Sequence, residues 1–176
     1  MTEAMPLLVL SASLVTAVVI FLLDEAQQRL RTAVNLAGAV AKLLLVVVML
    51  DGVARGVVYE TRLTLLPELE LLFRVDALAL LFLTLSAFLW LLTTVYAISY
   101  LGDGPDLSRF FGFFSLCVAA TAGIAISGTL ITFFIFYELL TLSTWPLVVH
   151  LGNAESLAAG RRYLAYTLGG SAALLT

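Results

Sequence analysis

Charged residues are scarce in this chain. Of its 176 residues only 12% are Asp, Glu, Lys or Arg, whereas 62% are hydrophobic and the mean hydropathy is +1.09. Too little polar surface is present to cover a globule of this length, which excludes a soluble domain. The net charge of −3 is small and spread out, with no basic run that would suit nucleic acid and no acidic tail.

Cysteine and histidine are almost missing as well. Cys117 is the only cysteine and His150 the only histidine. The chain can therefore form no internal disulfide, and it has no CxxC pair for zinc or an iron–sulfur cluster. Cys117 lies in an apolar segment, where a small packing residue is expected. The glycines form no phosphate-binding loop between a strand and a helix. We therefore expect no metal and no cofactor.

Long apolar segments are abundant instead. Because a spanning helix needs about 20 residues, they predict an all-α integral membrane protein of about six transmembrane helices, in a single transmembrane domain covering residues 1–176. We expect Thr32 to cap the second helix and Asp76 the third. The segments run from about Met5 to Leu23, Ala33 to Leu50, Asp76 to Tyr100, Phe110 to Ser127, Thr129 to His150, and onward from near Ala158.

The first and last apolar segments are both interpreted as membrane helices. The first segment follows an acidic flank containing Glu3, and Asp24 and Glu25 come after it in place of a small-residue cleavage site. We interpret it as a retained helix and not as a signal peptide. The last segment is still apolar at Thr176, so its far flank is not visible.

The longest connection, from Gly52 to Arg74, contains alternating and β-branched residues on both sides of Pro67. This pattern predicts a short external β-hairpin between about Val57 and Phe73, connecting the second and third helices. An amphipathic loop lying on the lipid headgroups is the alternative.

Arginine placement favours an external N-terminus. This orientation puts five arginines on the cytoplasmic side and three on the outer side, all three of them in the one long connection. The inner set is Arg29, Arg31, Arg109, Arg161 and Arg162, and the outer set is Arg55, Arg62 and Arg74.

Glu138 is the leading candidate for chemistry. It lies near the middle of the fifth segment, where a carboxylate costs at least about 2.5–3.5 kcal/mol even on lenient insertion scales. Removal from water favours the neutral acid, and a neighbouring positive charge favours the ionised form, so such a group can load and release a proton. A single structural hydrogen bond between helices is the alternative.

Three further residues are candidates. Lys42 is a second charge inside a segment. It is either a proton-transfer partner for a carboxylate, a polar contact to a neighbouring subunit, or a lysine that reaches toward the headgroups. His150 ends the fifth segment, where its ordinary pKa near 6.5 suits proton entry, although a helix-end residue is the simpler interpretation. Pro146 removes a backbone donor eight residues after Glu138 and favours a helix kink.

Several runs resemble a known family. They include Asp76-Ala-Leu-Ala-Leu-Leu-Phe, Thr93-Thr-Val-Tyr-Ala-Ile-Ser-Tyr, Arg109-Phe-Phe-Gly-Phe-Phe and Phe136-Tyr-Glu-Leu-Leu-Thr-Leu-Ser-Thr-Trp-Pro. From Ala33 onward the chain resembles the N-terminal portion of the antiporter-like membrane subunits. These occur in Mrp-type multisubunit Na⁺/H⁺ antiporters, respiratory complex I and membrane-bound hydrogenases. The chain is most similar to the D subunit of the Mrp type.

The resemblance implies a role in proton transfer. It places Glu138 at the family's fifth-helix glutamate, which family members pair with a lysine on a seventh helix. That lysine and the later helices are not in this sequence, so a split or truncated subunit is implied, with other membrane subunits supplying them.

The implied function is that of a transporter subunit, not an enzyme, in a proton-translocating complex of a bacterial or archaeal cell membrane. Monovalent cation/proton antiport is the first hypothesis, with protons and Na⁺ as the transported ions. The alternatives are the membrane arm of a redox complex and a purely structural subunit.

Overall fold

The structure, a computed structural model, describes residues 4–66, 69–102 and 104–175. It contains six α-helices and one two-stranded sheet within these ranges, which confirms the predicted fold class. In chain order the elements are α1 (Met5–Phe21), α2 (Gln28–Ala54), β1 (Tyr59–Leu66), β2 (Leu69–Val75), α3 (Ala77–Leu101), α4 (Leu107–Ala125), α5 (Leu130–Val148) and α6 (Ala154–Leu175).

Four of the described helices, α2 to α5, are long and apolar enough to cross a membrane. Helix α1 is apolar but has 17 residues. Helix α6 has 22 residues but is more polar, since it carries Glu155, Arg161 and Arg162. The predicted count of six spans is therefore matched only roughly, although all six predicted helices are present.

The boundaries predicted for α2 are wrong. The helix begins at Gln28, four residues before Thr32, and Gln27 at the N-cap position accepts from the Asp24 N–H and does not cap the helix with its side chain. It also continues through Asp51 and Gly52 to Ala54. Tertiary contacts extend the helix beyond Thr32 at its start and beyond Asp51 and Gly52 at its end. Its first turn is held by the connection from α1, and its last turn packs on Tyr59 of β1.

The predicted hairpin is present and is fixed to the helices. Strands β1 and β2 pair antiparallel from Tyr59 opposite Val75 to Leu66 opposite Leu69; Pro67 lies outside the described residues. The Arg74 N–H donates to the Ile126 carbonyl and the Gly128 N–H donates to the Leu72 carbonyl, each at 2.7 Å. The hairpin thus pairs with the α4–α5 connection, which excludes a loop lying loosely on headgroups.

Helix α4 occupies the centre of the bundle, in contact with α1, α3 and α5 and more narrowly with α2. Glycines allow two of these close approaches. A Cβ built on Gly112 would lie 2.5 Å from the Phe21 ring of α1, and one on Gly123 would lie 2.1 Å from the Phe136 ring of α5. Because no side chain fits there, these glycines set how closely α1 and α5 approach α4.

Helix directions define two ends of the bundle. The start of α1 packs with β1 and β2 in one apolar cluster that includes Met5, Val9, Tyr59 and Phe73, so this is the hairpin end. The other end holds the α1–α2 and α3–α4 connections, where the Gln28 side chain donates to the Gly102 carbonyl. We call it the arginine end, because α2 and α4 begin there with Arg29, Arg31 and Arg109.

The predicted cap of α3 is confirmed, and it provides a stability test. Asp76 Oδ1 accepts from the Ala79 N–H at 2.7 Å. Asp76→Ala removes this acceptor and is expected to lower the free energy of unfolding by about 1 kcal/mol. Asp76→Asn keeps a side-chain oxygen and should cost only a few tenths of that. Unfolding in mixed micelles measures both.

Asp51→Ala is the matched control, because Asp51 forms an exposed ion pair with Arg55 one turn away. Its loss should cost on the order of 0.3 kcal/mol. Equal losses for Asp76→Ala and Asp51→Ala would show that the cap contributes nothing specific.

Candidate functional site

Glu138 lies near the middle of α5, eight residues after Leu130 and ten before Val148. The side chain is partly buried, and its Oε1 atom is buried without a hydrogen-bond partner among the described residues. Trp145 lies two helical turns further on the same face, and a Cβ on Gly160 of α6 would lie 3.0 Å from the Trp145 indole nitrogen. Glu138 therefore lies on the face of α5 that packs toward α6.

Lys42 is fully buried and does not reach toward the headgroups. Its Nζ donates to the Val118 carbonyl of α4 at 3.2 Å and lies 5.6 Å from the centre of the Trp90 ring of α3. An amine at this distance over an indole face is favoured by the ring quadrupole. The snorkelling alternative is therefore wrong for Lys42, whose polar partner comes from within this chain.

Helix α4 separates Lys42 from α5. Val118 faces Lys42 through its carbonyl, whereas the neighbouring Cys117 lies against α5, with its Sγ 3.5 Å from the Thr144 Oγ1. No hydrogen bond or ion pair joins Lys42 to Glu138 in the part of the chain that the structure describes. The structure thus keeps the two candidates apart and does not pair them.

His150 lies at the arginine end, just after α5. Its ring packs edge-on against Phe110 of α4 with 5.3 Å between ring centres, and its Nδ1 is buried with no partner among the described residues. Its carbonyl accepts from the Arg109 guanidinium at 3.4 Å. The residue connects the ends of α4 and α5, about three helical turns from Glu138.

Pro146 does not end α5, which continues to Val148. The Ser143 and Thr144 hydroxyls donate to the carbonyls four residues earlier, those of Leu139 and Leu140 respectively. Such hydroxyl bonds to the preceding turn accompany bent helices. The kink at Pro146 itself stays a prediction.

A polar cluster at the arginine end was missed by sequence reasoning. The Glu25 carboxylate accepts from the Leu107 N–H at 3.1 Å and the Ser108 N–H at 2.9 Å, so it caps α4 from the α1–α2 connection. Arg31 donates to Glu25 at 3.2 Å and to the Ser108 hydroxyl at 3.0 Å. Arg31 is only 2% exposed, so it is a buried structural residue and not a free loop charge.

A second missed pair lies one turn deeper. The Ser115 hydroxyl donates to Asn35 Oδ1 at 3.2 Å, and both residues are fully buried. A sequence signal for these buried polar residues did exist. Arg31, Asn35 and Lys42 recur at spacings of four and seven, which places all three on one face of α2. The wrong start predicted for α2 concealed that periodicity.

Comparison with known proteins shows what this chain is similar to. Residues 67–111 match the family described as "NADH-Ubiquinone oxidoreductase (complex I), chain 5 N-terminus". A Rhizobium meliloti protein, named as the A/B component of a probable K(+)/H(+) antiporter, is 31% identical over 142 residues, which are 78% of this chain and 14% of that protein. The chain thus spans about a seventh of the length of this relative.

Solved structures show the same fold. A chain in the structure of the Mrp complex from Dietzia sp. superposes with a TM-score of 0.84 at 26% identity, covering 99% of this chain and 33% of that one. A chain of an archaeal respiratory complex, the membrane-bound sulfane sulfur reductase, has the same TM-score at 16% identity, covering 95% and 34%. The second likeness concerns the fold alone.

These matches confirm the resemblance to the antiporter-like membrane subunits, and the apolar helices identify an integral membrane protein. The similarity to the D subunit of the Mrp type stays a prediction, since the relative from Rhizobium meliloti carries the letters A/B.

The polar cluster at the arginine end provides a second stability test. Glu25→Ala removes the acceptor of two α4 N–H groups and the partner of Arg31. We expect a loss of about 2 kcal/mol in unfolding free energy, because hydrogen bonds to charged groups contribute roughly 1.5–3 kcal/mol before solvent exposure reduces them. Glu25→Gln retains one oxygen acceptor and should fall between wild type and Glu25→Ala.

Glu155→Ala, an exposed residue of the first turn of α6, serves as the control in the same micelle unfolding assay. A Glu25→Ala variant as stable as Glu155→Ala would contradict the assignment of Glu25 as the cap of α4.

Proposed function

We propose that this chain is the N-terminal portion of a subunit in a multisubunit proton-translocating membrane complex that exchanges a monovalent cation for protons. Within it, Glu138 loads and releases the transported proton. The observation that carries the proposal is a carboxylate at the middle of an apolar spanning helix whose Oε1 is buried without a partner among the described residues.

Membrane physics makes this placement informative. Ionisable groups at mid-membrane depth are costly and usually mark ion or proton pathways. A structural acid would be expected to satisfy its oxygens on a neighbouring helix. The buried Oε1 of Glu138 is instead free to accept from a group outside the described residues, such as a lysine on another helix or a water.

His150 and Lys42 take different places in this proposal. His150 follows the end of α5, the helix that carries Glu138, and at the arginine end it would exchange protons with the membrane surface. Lys42 lies on the other side of α4, as a second titratable group with its own surroundings. We do not expect a direct proton transfer between Lys42 and Glu138.

The partners in this proposal are other membrane subunits. The chain covers a third of the matched chain in the Mrp complex and a seventh of the relative from Rhizobium meliloti, so the helices that face α5 and α6 in the working complex come from beyond this sequence. A lysine on those helices would complete the site. The name of the relative from Rhizobium meliloti, a probable K(+)/H(+) antiporter, favours monovalent cation antiport over redox-driven pumping.

Glu138→Gln tests the proposal directly. The amide keeps the shape of the side chain but cannot release a proton, so proton-coupled cation transport should be abolished while assembly is unchanged. Glu138→Asp keeps the acid with a shorter reach and should retain part of the activity. The complex is purified through a tag on this chain and reconstituted in liposomes, where a pH-sensitive dye follows pulses of Na⁺ or K⁺.

Glu155→Gln makes the same chemical change at an exposed site and should transport at the wild-type rate. Wild-type transport in an assembled Glu138→Gln complex would remove Glu138 from the mechanism. Assembly without any cation-dependent proton movement in the wild type would instead point to redox-driven pumping or a structural role.

We further propose that the N-terminus and hairpin lie outside the cell membrane and the arginine end lies in the cytoplasm. The two ends are opposite in the structure, and the arginine bias assigns their sides. Single cysteines at Val58 and at Asn153, in a Cys117→Ser background, should react with an impermeant maleimide from the outside and inside respectively. The reverse pattern would invert the topology.

A further inference from the structure

The seam between α2, α3 and α4 is lined by polar residues at three depths. Nearest the arginine end are Arg31 and Ser108, joined by a 3.0 Å hydrogen bond. Asn35 and Ser115 follow at 3.2 Å, and Lys42 with the Val118 carbonyl follows at 3.2 Å. From Arg31 to Lys42 the seam extends over eleven residues of α2, roughly 16 Å along its axis.

Helix α3 contributes two more buried polar groups at matching depths. Thr94 and Asn35 lie at about the same depth. Thr94 is seven residues before the end of α3 at Leu101, and Asn35 is seven residues after the start of α2 at Gln28. Trp90 lies one turn deeper, where its ring contacts Lys42. Both α3 residues are at most 1% exposed.

Buried hydrogen-bonding atoms without partners are concentrated in this seam. Four of them have no hydrogen-bond partner among the described residues: Arg31 Nε, Asn35 Nδ2, Trp90 Nε1 and Thr94 Oγ1. A buried polar atom left without a partner costs about 1–3 kcal/mol, so native proteins normally satisfy such atoms with protein groups or ordered water. Four at successive depths of one seam therefore point to a common ligand.

The seam also has an entrance. A cavity of ≈ 490 Å³ at the arginine end is lined by Glu25, Arg31, Asp106 and Leu107, among others. Arg31 belongs to both this cavity and the first layer of the seam. The seam closes at its other end, since the next inward residues are Val46 of α2 and Ala122 of α4, both fully buried in the apolar cluster at the hairpin end.

We propose that a narrow column of water fills this seam from the arginine-end cavity to Lys42. Water fits the unpartnered atoms, because three are N–H donors that need an acceptor and the fourth is a hydroxyl. A hard metal cation does not fit, since it requires several oxygen ligands and the seam presents mainly donors. The column gives the Lys42 amine a path for protons to one side of the membrane.

This inference deepens the proposed function by giving a second buried titratable group its own access to solvent. It does not depend on Glu138, which lies beyond α4. Its test measures entry of a small solute into the seam and not transport, so failure of the column and failure of antiport can be distinguished.

The test uses buried cysteines in a Cys117→Ser background of the tagged complex in membrane vesicles. Ser115→Cys is nearly isosteric and places a thiol in the seam, and Asn35→Cys does so from α2. Ala122→Cys and Val46→Cys place thiols in the same two helices, equally buried but past Lys42. After exposure to Ag⁺ the protein is denatured, and the remaining thiols are counted by the gel shift of this chain with a polyethylene glycol maleimide.

We expect Ag⁺ to block Ser115→Cys and Asn35→Cys at least about tenfold faster than Ala122→Cys and Val46→Cys, because a dry apolar site suppresses the reactive thiolate. Blocking should be faster when Ag⁺ is added from the arginine end. Equal rates for all four thiols, or protection of both seam thiols in complexes that assemble normally, would overturn the water column.

Discussion

The N-terminus of α4 is capped by a residue from another element, and the arrangement of the arginine end depends on that contact. Asp106 at the N-cap adopts a left-handed backbone conformation and makes no side-chain cap, so Glu25 supplies the acceptor for the first N–H groups. Glu25 also holds Arg31, whose other partner is Ser108. One carboxylate thereby joins the start of α2 to the start of α4.

The contact between Glu25 and Arg31 determines which side chains of α2 face α4. With Arg31 fixed beside Ser108, the helical repeat places Asn35 at Ser115 and Lys42 at the Val118 carbonyl. Lipid offers no hydrogen-bond partners to these groups, so each must find one inside the protein. At the other end, the α4–α5 connection pairs with β2, which holds α4 between a carboxylate cap and a β-hairpin.

Local patterns were sufficient to predict the helices and the hairpin. The length of the apolar segments predicted the six helices, and the alternation of apolar and polar residues predicted β1 and β2. The Asp76 cap of α3 followed from its residue type and position. The start of α2 could not be predicted in this way, because Gln27 provides no side-chain cap and the first turn is held by a residue in the preceding connection.

The candidate site could likewise be predicted only in part. The depths of Glu138 and Lys42 follow from position within a helix, but their separation depends on the packing of α4 between them, which no local pattern encodes.

Helix α4 keeps the titratable groups of Lys42 and Glu138 in separate surroundings. A double-mutant cycle with Lys42→Met and Glu138→Gln tests this separation most directly, measured as unfolding free energy of the purified complex in mixed micelles. Independent sites should give losses that add to within about 0.5 kcal/mol in the double variant. A coupling energy above about 1 kcal/mol, as contacting charges show, would contradict the separation.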